Sequence, residues 1–190
     1  MSGHDTRSPG RPKIEYRSAE REGGHHTGAP LVLPATGITA EIAMAAVPDD
    51  ERVWVPQAPG VSFRPLLLNT VSGGWCNLLR VRKSGVLSRH RHPMLVIGYV
   101  IKGRWRYLEH DWVAEEGSFV YEPPGETHTL VVPDDCPEMV TFFNISGAMI
   151  YLDEEGRQTG YEDVFSKIEM CRAHYEDNGL GAQFVEQFIR

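Results

Sequence analysis

The chain has 190 residues, 41% of them hydrophobic, which suits one modest domain able to bury its own core. Its formal net charge of −7 argues against a nucleic-acid partner, as does the lack of any basic run interleaved with aromatic residues. No apolar stretch approaches the roughly 20 residues that span a bilayer, and the polar, Pro/Gly-containing start lacks a signal peptide's apolar region, so no membrane association and a cytoplasmic location are expected.

In chain order, residues 1–30 are rich in Arg, Glu, Gly, Ser and His with little apolar periodicity, which predicts a flexible N-terminal arm. Residues 31–155 predict a β-barrel domain. From Leu31 to Val61, short apolar clusters broken by prolines, Trp54-Val55-Pro56 among them, suggest edge strands and turns. Period-two patterns then predict strands over Phe63–Leu68, Trp75–Arg82, Val86–His92, Leu95–Ile101, Arg104–His110, Ser118–Glu122, Thr127–Val132 and Met139–Ile145. Lys102-Gly103 marks a hairpin and Pro123-Pro124-Gly125 a sharp reversal. In the segment 156–190 the period changes. From Asp163 onward Val164, Phe165, Ile168, Cys171, Arg172 and Tyr175 recur at helical spacing, and Gly179 sits where a helix C-terminus favours glycine. The fold class expected is all-β, a barrel with one C-terminal α-helix that packs on the barrel or on a partner subunit.

Two patches of this barrel carry the chemistry. In His90-Arg91-His92 alternate residues point to one strand face, so the two imidazoles can converge while Arg91 faces away. His128 follows a Pro-Pro-Gly turn and opens another strand. Three neutral nitrogen ligands with open coordination positions describe a catalytic metal site better than a structural one, which four protein ligands usually close. His4, His25, His26 and His174 have no such context and are expected to be solvated or structural. Cys76, Cys136 and Cys171, odd in number and without a Cys-x-x-Cys pair, are expected to be reduced thiols.

The run Gly85-Val86-Leu87-Ser88-Arg89-His90-Arg91-His92 followed by Gly103 resembles the first motif of the cupin superfamily, and Gly117 through Pro123, Gly125 and His128 resemble the second. The resemblance implies a double-stranded β-helix barrel with a metal inside, often in homodimers or larger homo-oligomers such as homotetramers. Two positions depart from it. Val96 stands where the first motif usually supplies a glutamate, and Val132 stands where the second often ends in asparagine.

Alternation offers a replacement carboxylate. In Arg104-Trp105-Arg106-Tyr107-Leu108-Glu109-His110, Glu109 shares the face of Trp105 and Tyr107, which would aim it into the barrel toward a metal or an inward arginine. Longer segments, Gly98 to Trp105, Tyr107 to Trp112, Tyr121 to Leu130 and Gly160 to Phe165, resemble the 2,4'-dihydroxyacetophenone dioxygenase family. That resemblance implies a non-haem Fe(II) enzyme held by His90, His92 and His128 with Glu109 as the acidic member. Its substrates would be an aromatic α-hydroxyketone and O₂, its products an aromatic carboxylic acid and formate. Zn, Mn, Co, Ni and Cu also accept imidazole ligands, and the same histidines suit a β-diketone-cleaving dioxygenase, an isomerase or a zinc-binding cupin sensor. Trp105, Tyr107, Tyr99 and Phe119 are candidates to line an apolar slot for the ring. Arg89 and Arg91 read as surface charge, Glu126 as a turn residue able to orient a ligand, and Tyr121 and Glu122 carry no assignment.

Overall fold

Alternation is clearest in Met139–Ile145, where Met139, Thr141, Phe143 and Ile145 are buried and the residues between them are half-buried. Such a strand presents one row of side chains to a core and the other to the surroundings. The computed structural model of the chain describes residues 42–44 and 49–190, so the expected arm over 1–30 lies outside the described residues. In chain order the strands are β1 (Val55–Ala58), β2 (Val61–Asn69), β3 (Gly74–Val81), β4 (Gly85–Arg91), β5 (Val96–Lys102) and β6 (Arg104–Tyr107). There follow β7 (Ala114–Glu115), β8 (Phe119–Glu122), β9 (Thr127–Val132), β10 (Met139–Ile145), β11 (Met149–Leu152) and β12 (Gln158–Glu162).

Among the described residues all strand pairs are antiparallel, in two six-stranded sheets ordered β1-β2-β3-β10-β5-β8 and β12-β11-β4-β9-β6-β7. This is the cupin-type double-stranded β-helix barrel expected from the sequence. Its inner rows bring together Phe63, Leu68, Val100, Trp105, Val132 and Met139, all buried. The Trp105 indole satisfies its N–H inside this core by donating to Thr141 Oγ1 at 3.0 Å.

Seven of the eight expected strands form within two residues of their expected bounds. The eighth stops at Tyr107, where Leu108 and Glu109 turn the chain out of the sheet. β11 and β12 were not expected. Met149–Leu152 is half-buried throughout and Gln158–Glu162 is mostly exposed, so neither shows the alternation that betrays a strand. β12 carries the second sheet on to Glu162, into the segment 156–190.

Helix α1 (Val164–Asp177) begins at a capping box, in which Asp163 Oδ1 accepts from the Ser166 amide at 2.8 Å and Ser166 Oγ accepts from the Asp163 amide at 2.9 Å. It packs against β1, β2 and β12. Its buried stripe is Val164, Lys167, Ile168, Cys171 and Tyr175. The expected pattern included Phe165, which is 58% exposed, and Arg172, which forms ion pairs with Glu169 and Glu186. A charged residue takes the buried position instead. Lys167 is admitted there because Glu162 lies 2.6 Å from its Nζ.

A short 3-10 segment (Ala182–Phe188) folds back on α1, and Arg190 then runs beside β2, its amide donating to the Leu68 carbonyl at 3.0 Å and its carbonyl accepting from the Thr70 amide at 2.7 Å. That contact covers the part of β2 that β1 leaves unpaired. The three cysteines are free thiols, and no helix among the described residues is long and apolar enough to cross a membrane.

Lys102-Gly103 does not close the expected hairpin: β5 and β6 lie in different sheets, and the turn carries the chain from one sheet to the other on a backbone only glycine tolerates. Gly103 has φ of +73°, and a Cβ there would run into the Glu138 carbonyl oxygen and lie 2.9 Å from Cys136 Sγ. Gly103→Ala is expected to cost about 2 kcal/mol of stability, read as a lower urea midpoint at unchanged slope.

Candidate metal centre

β4 and β9 are hydrogen-bonded neighbours, and their register sets His90 directly opposite His128. Paired residues on antiparallel strands point to the same face, so both imidazoles enter the barrel. His92 follows two residues after His90, just past the end of β4, and its ring centroid lies 4.9 Å from that of His90 and 5.6 Å from that of His128. All three side chains are buried, and each offers a nitrogen within 4.8 Å of the others. The two patches singled out in the sequence are thus brought to one point.

For His90 and His92, hydrogen bonds at Nδ1 leave Nε2 facing that point. His90 Nδ1 lies 3.1 Å from Ser88 Oγ, and His92 Nδ1 lies 3.3 Å from the carbonyl oxygen of Ala148. A carbonyl can only accept, so His92 carries its proton on Nδ1 and presents the Nε2 lone pair inward. The His128 ring is held by stacking instead, lying on Tyr107 at 3.9 Å between centroids with 3° between planes.

Electrostatics keep these rings uncharged. Burial pulls His92 down to about 4 and His128 to about 3, and burial together with the two neighbouring imidazoles holds His90 well below its ordinary range. Neutral imidazole is the form that donates to a metal.

A carboxylate completes the cluster, and it is Glu122. Its Oε2 lies 3.6 Å from His92 Nε2 and 3.4 Å from His128 Nε2, while its Oε1 accepts a 2.6 Å hydrogen bond from the Tyr107 hydroxyl. Burial pushes this carboxyl up to about 7, although the Tyr107 hydrogen bond works the other way. Glu122 Oε2 and both nitrogens of His128 are buried with no hydrogen-bond partner. Orphaned buried polar atoms are costly, and oxygen and nitrogen donors converging on one point fit a divalent cation such as iron or zinc.

Glu109 is not part of this group. β6 ends at Tyr107, so the alternation that would aim Glu109 inward stops before reaching it. Its exposed carboxylate caps the neighbouring strand, accepting from the Thr129 amide and from Thr129 Oγ1, each at 2.8 Å. Glu122 could have been found from β8, where Val120 and Glu122 are buried and Phe119 and Tyr121 are exposed. The apolar character of Phe119 and Tyr121 inverts the apparent parity of that strand. For the same reason Phe119 and Tyr99, directly paired across β8 and β5, lie on the outer face and not in the expected slot, whereas Trp105 and Tyr107 point inward.

The other weighed residues lie outside the cluster. Arg91 is exposed, and Arg89 Nη1 donates to the Glu154 carbonyl at 3.1 Å. Glu126 pairs with His110 Nε2 at 2.8 Å, and His174 Nε2 lies 2.9 Å from the Arg52 carbonyl oxygen. His4, His25 and His26 are outside the described residues. A cavity of about 430 Å³ opens beside the cluster, lined on that side by His90, His92, Tyr107 and Glu122 and beyond them by Trp75, Val96 and Phe143.

A model of the ChrR cupin-like domain matches residues 43–150, more than half of the chain. The chain belongs to that family. Among solved cupins it is similar to an RmlC-like protein from Ralstonia eutropha JMP134, with 32% identity over 66% of this chain and 83% of the other and a TM-score of 0.64. A second cupin-like protein of that organism shares 23% identity over 63% of this chain and 75% of its own, with a TM-score of 0.61. The fold is also that of an acetylacetone dioxygenase from Acinetobacter johnsonii, at 15% identity, 70% and 94% coverage and a TM-score of 0.59. No curated protein matches the chain.

Two outcomes follow from this cupin's site. Tyr107→Phe removes the hydrogen bond that orients Glu122, and metal affinity measured by competition with a chelator is expected to fall roughly tenfold. In the metal-free chain, His92 and His128 titrate below their unfolded value of about 6.5, so their contribution to stability is full above that pH and is lost as pH falls toward about 4. Glu122, raised to about 7, acts oppositely, its contribution being lost as pH rises from about 4.5 through 7. Three imidazoles outweigh one carboxyl. The melting temperature in excess chelator is expected to rise between about pH 5 and 6.5, and a flat or falling profile would contradict the burial of neutral rings.

Proposed function

We propose that this cupin is a non-haem iron dioxygenase that cleaves the carbon-carbon bond of an aromatic α-hydroxyketone with O₂, giving an aromatic carboxylic acid and formate. The observation that carries the reading is the joining of the histidine cluster to a cavity of about 430 Å³, a volume suited to a small organic molecule. A metal held only for structure needs no such space beside it. The likeness of four sequence segments to the 2,4'-dihydroxyacetophenone dioxygenase family supports the substrate class, and the shared fold with an acetylacetone dioxygenase is compatible with O₂ chemistry on this scaffold.

Iron held by Nε2 of His90, His92 and His128 would supply the Lewis-acid and one-electron chemistry toward O₂ that no side chain offers. The protein contributes placement, charge and dryness. Three neutral imidazoles and one carboxylate would leave a divalent metal with net positive charge, which would favour a substrate offering carbonyl and hydroxyl oxygens as further donors. Glu122 Oε2 stands beside two of the three rings, where it would serve as the oxygen donor next to the three nitrogens. Tyr107 fixes its direction. The apolar wall of Trp75, Val96 and Phe143 excludes water from the reacting carbons and offers faces for an aromatic ring.

Oxygen uptake by anaerobically iron-loaded protein tests the reading. With 2,4'-dihydroxyacetophenone, one O₂ is expected per ketone with 4-hydroxybenzoate and formate as products, and His90→Ala, His92→Ala or His128→Ala should reduce turnover to background. Uptake with acetylacetone alone would reassign the chain to β-diketone cleavage. Tightly retained zinc with no uptake on either ketone would make it a sensor.

A further inference from the structure

The outer face of the first sheet changes character halfway across. Leu78 on β3, Phe142 on β10, Tyr99 on β5 and Phe119 on β8 are directly paired in turn, so their side chains form one apolar row on the side away from the histidines. The chain covers the start of that row itself. Val53 and Trp54 bury Leu78 in a small second core, against which Phe142 and Phe184 pack. The cover stops there. Tyr99 and Ile101 are close to half exposed, and on β8 Phe119 is 65% and Tyr121 55% exposed.

This bare half is continuous and large. Phe119 and Tyr121 share a surface groove of about 270 Å³ with Trp112 and Val113, both also exposed, which extends the patch past the edge of the sheet. Tyr99, Ile101, Trp112, Val113, Phe119 and Tyr121 together present roughly 600 Å² per copy, so two such faces reach roughly the 1,200 Å² at which specific protein interfaces begin. Isolated monomers seldom leave so much contiguous apolar surface in water. Among the described residues β8 is also the outermost strand of its sheet, and its outward positions carry none of the charges that usually keep a free edge from pairing.

We propose that the outer face of β5 and β8 is the surface through which two copies of this chain associate about a two-fold axis. Charge selects the occupant. Ile97, Tyr99, Ile101, Phe119 and Tyr121 point outward from the two strands and none is charged, so a basic partner finds no acidic group there to pair with. Two copies of a chain with net charge −7 repel one another, and an uncharged face is where they can meet at least cost. A two-fold axis sets the same patch against itself and runs the two β8 edges antiparallel, the sense in which both sheets are already built. The outward aromatics that invert the apparent parity of β8 thereby acquire a role. Val120 and Glu122 face inward from the same strand, which puts the contact directly behind the candidate metal centre.

Sedimentation equilibrium of the full chain, from low to high micromolar, tests the interface. The native protein is expected at twice the mass of one chain, and the double variant Phe119→Lys with Tyr121→Lys at half that mass with an unchanged far-ultraviolet circular dichroism spectrum. Tyr161→Lys puts the same charge on an exposed aromatic of β12 and should leave the mass unmoved. A native chain that sediments as one copy at every concentration overturns the proposal, as does a dimer that the double variant leaves intact or that Tyr161→Lys dissociates equally. Should the double variant fail to fold, hydrogen exchange on the native protein decides. Amides of β8 are expected to exchange about tenfold faster on dilution below the association midpoint while those of α1 stay unchanged. Equal exchange of β8 at both concentrations means that this chain's own residues cover the face or that nothing does, and either result removes the second copy.

Discussion

The pairing of β4 with β9 is the constraint on which the rest depends, because one register sets His90 against His128 and thereby fixes the inner face of both strands. A slip of β4 by one residue would turn His90 outward and bring its neighbour Arg91 to the inner face while His128 stayed inside. The register is held by more than the site itself. Val132 is fully buried near the start of β4, and Leu130 is buried beside Tyr107 on β6, so the apolar packing that stabilises the barrel also aims the donors. Stability and chemistry are specified by the same alternation.

Burial then decides protonation. In water these imidazoles would be partly protonated near neutral pH and would repel one another and any cation. Inside the barrel the charged form is penalised, and what remains is a set of lone pairs with an acidic neighbour whose own charge is disfavoured. Tyr107 links the two kinds of donor, stacking on His128 through its ring and bonding Glu122 through its hydroxyl. One side chain thus orients both a nitrogen and an oxygen.

The sequence made the barrel and the three histidines legible for a physical reason: both are short-range patterns. Alternation over six or seven residues and a turn at Pro123-Pro124-Gly125 can be read without knowing what lies opposite. The acidic partner was not legible in the same way. Alternation through Arg104–His110 pointed to Glu109, but that strand ends at Tyr107, and strand ends are set by the neighbours available to pair with. On β8 the outward Phe119 and Tyr121 are more apolar than inward Glu122, so hydrophobicity alone gives the wrong face. Lys167 was hidden similarly, since its charge masks a place in the buried stripe of α1 that only Glu162, five residues earlier, makes tolerable.

The boundary of the family match divides the cavity unequally. His90, His92, Tyr107, Glu122 and His128 all fall within residues 43–150, whereas Tyr151, Glu162 and Lys167 follow them. A relative that shares only the matched segment would inherit the donors together with their orientation and would have to build the opposite wall from unrelated chain. Membership of the family, read from residues 43–150, therefore covers the strands that carry the histidines and leaves part of the cavity lining to the polypeptide that comes next.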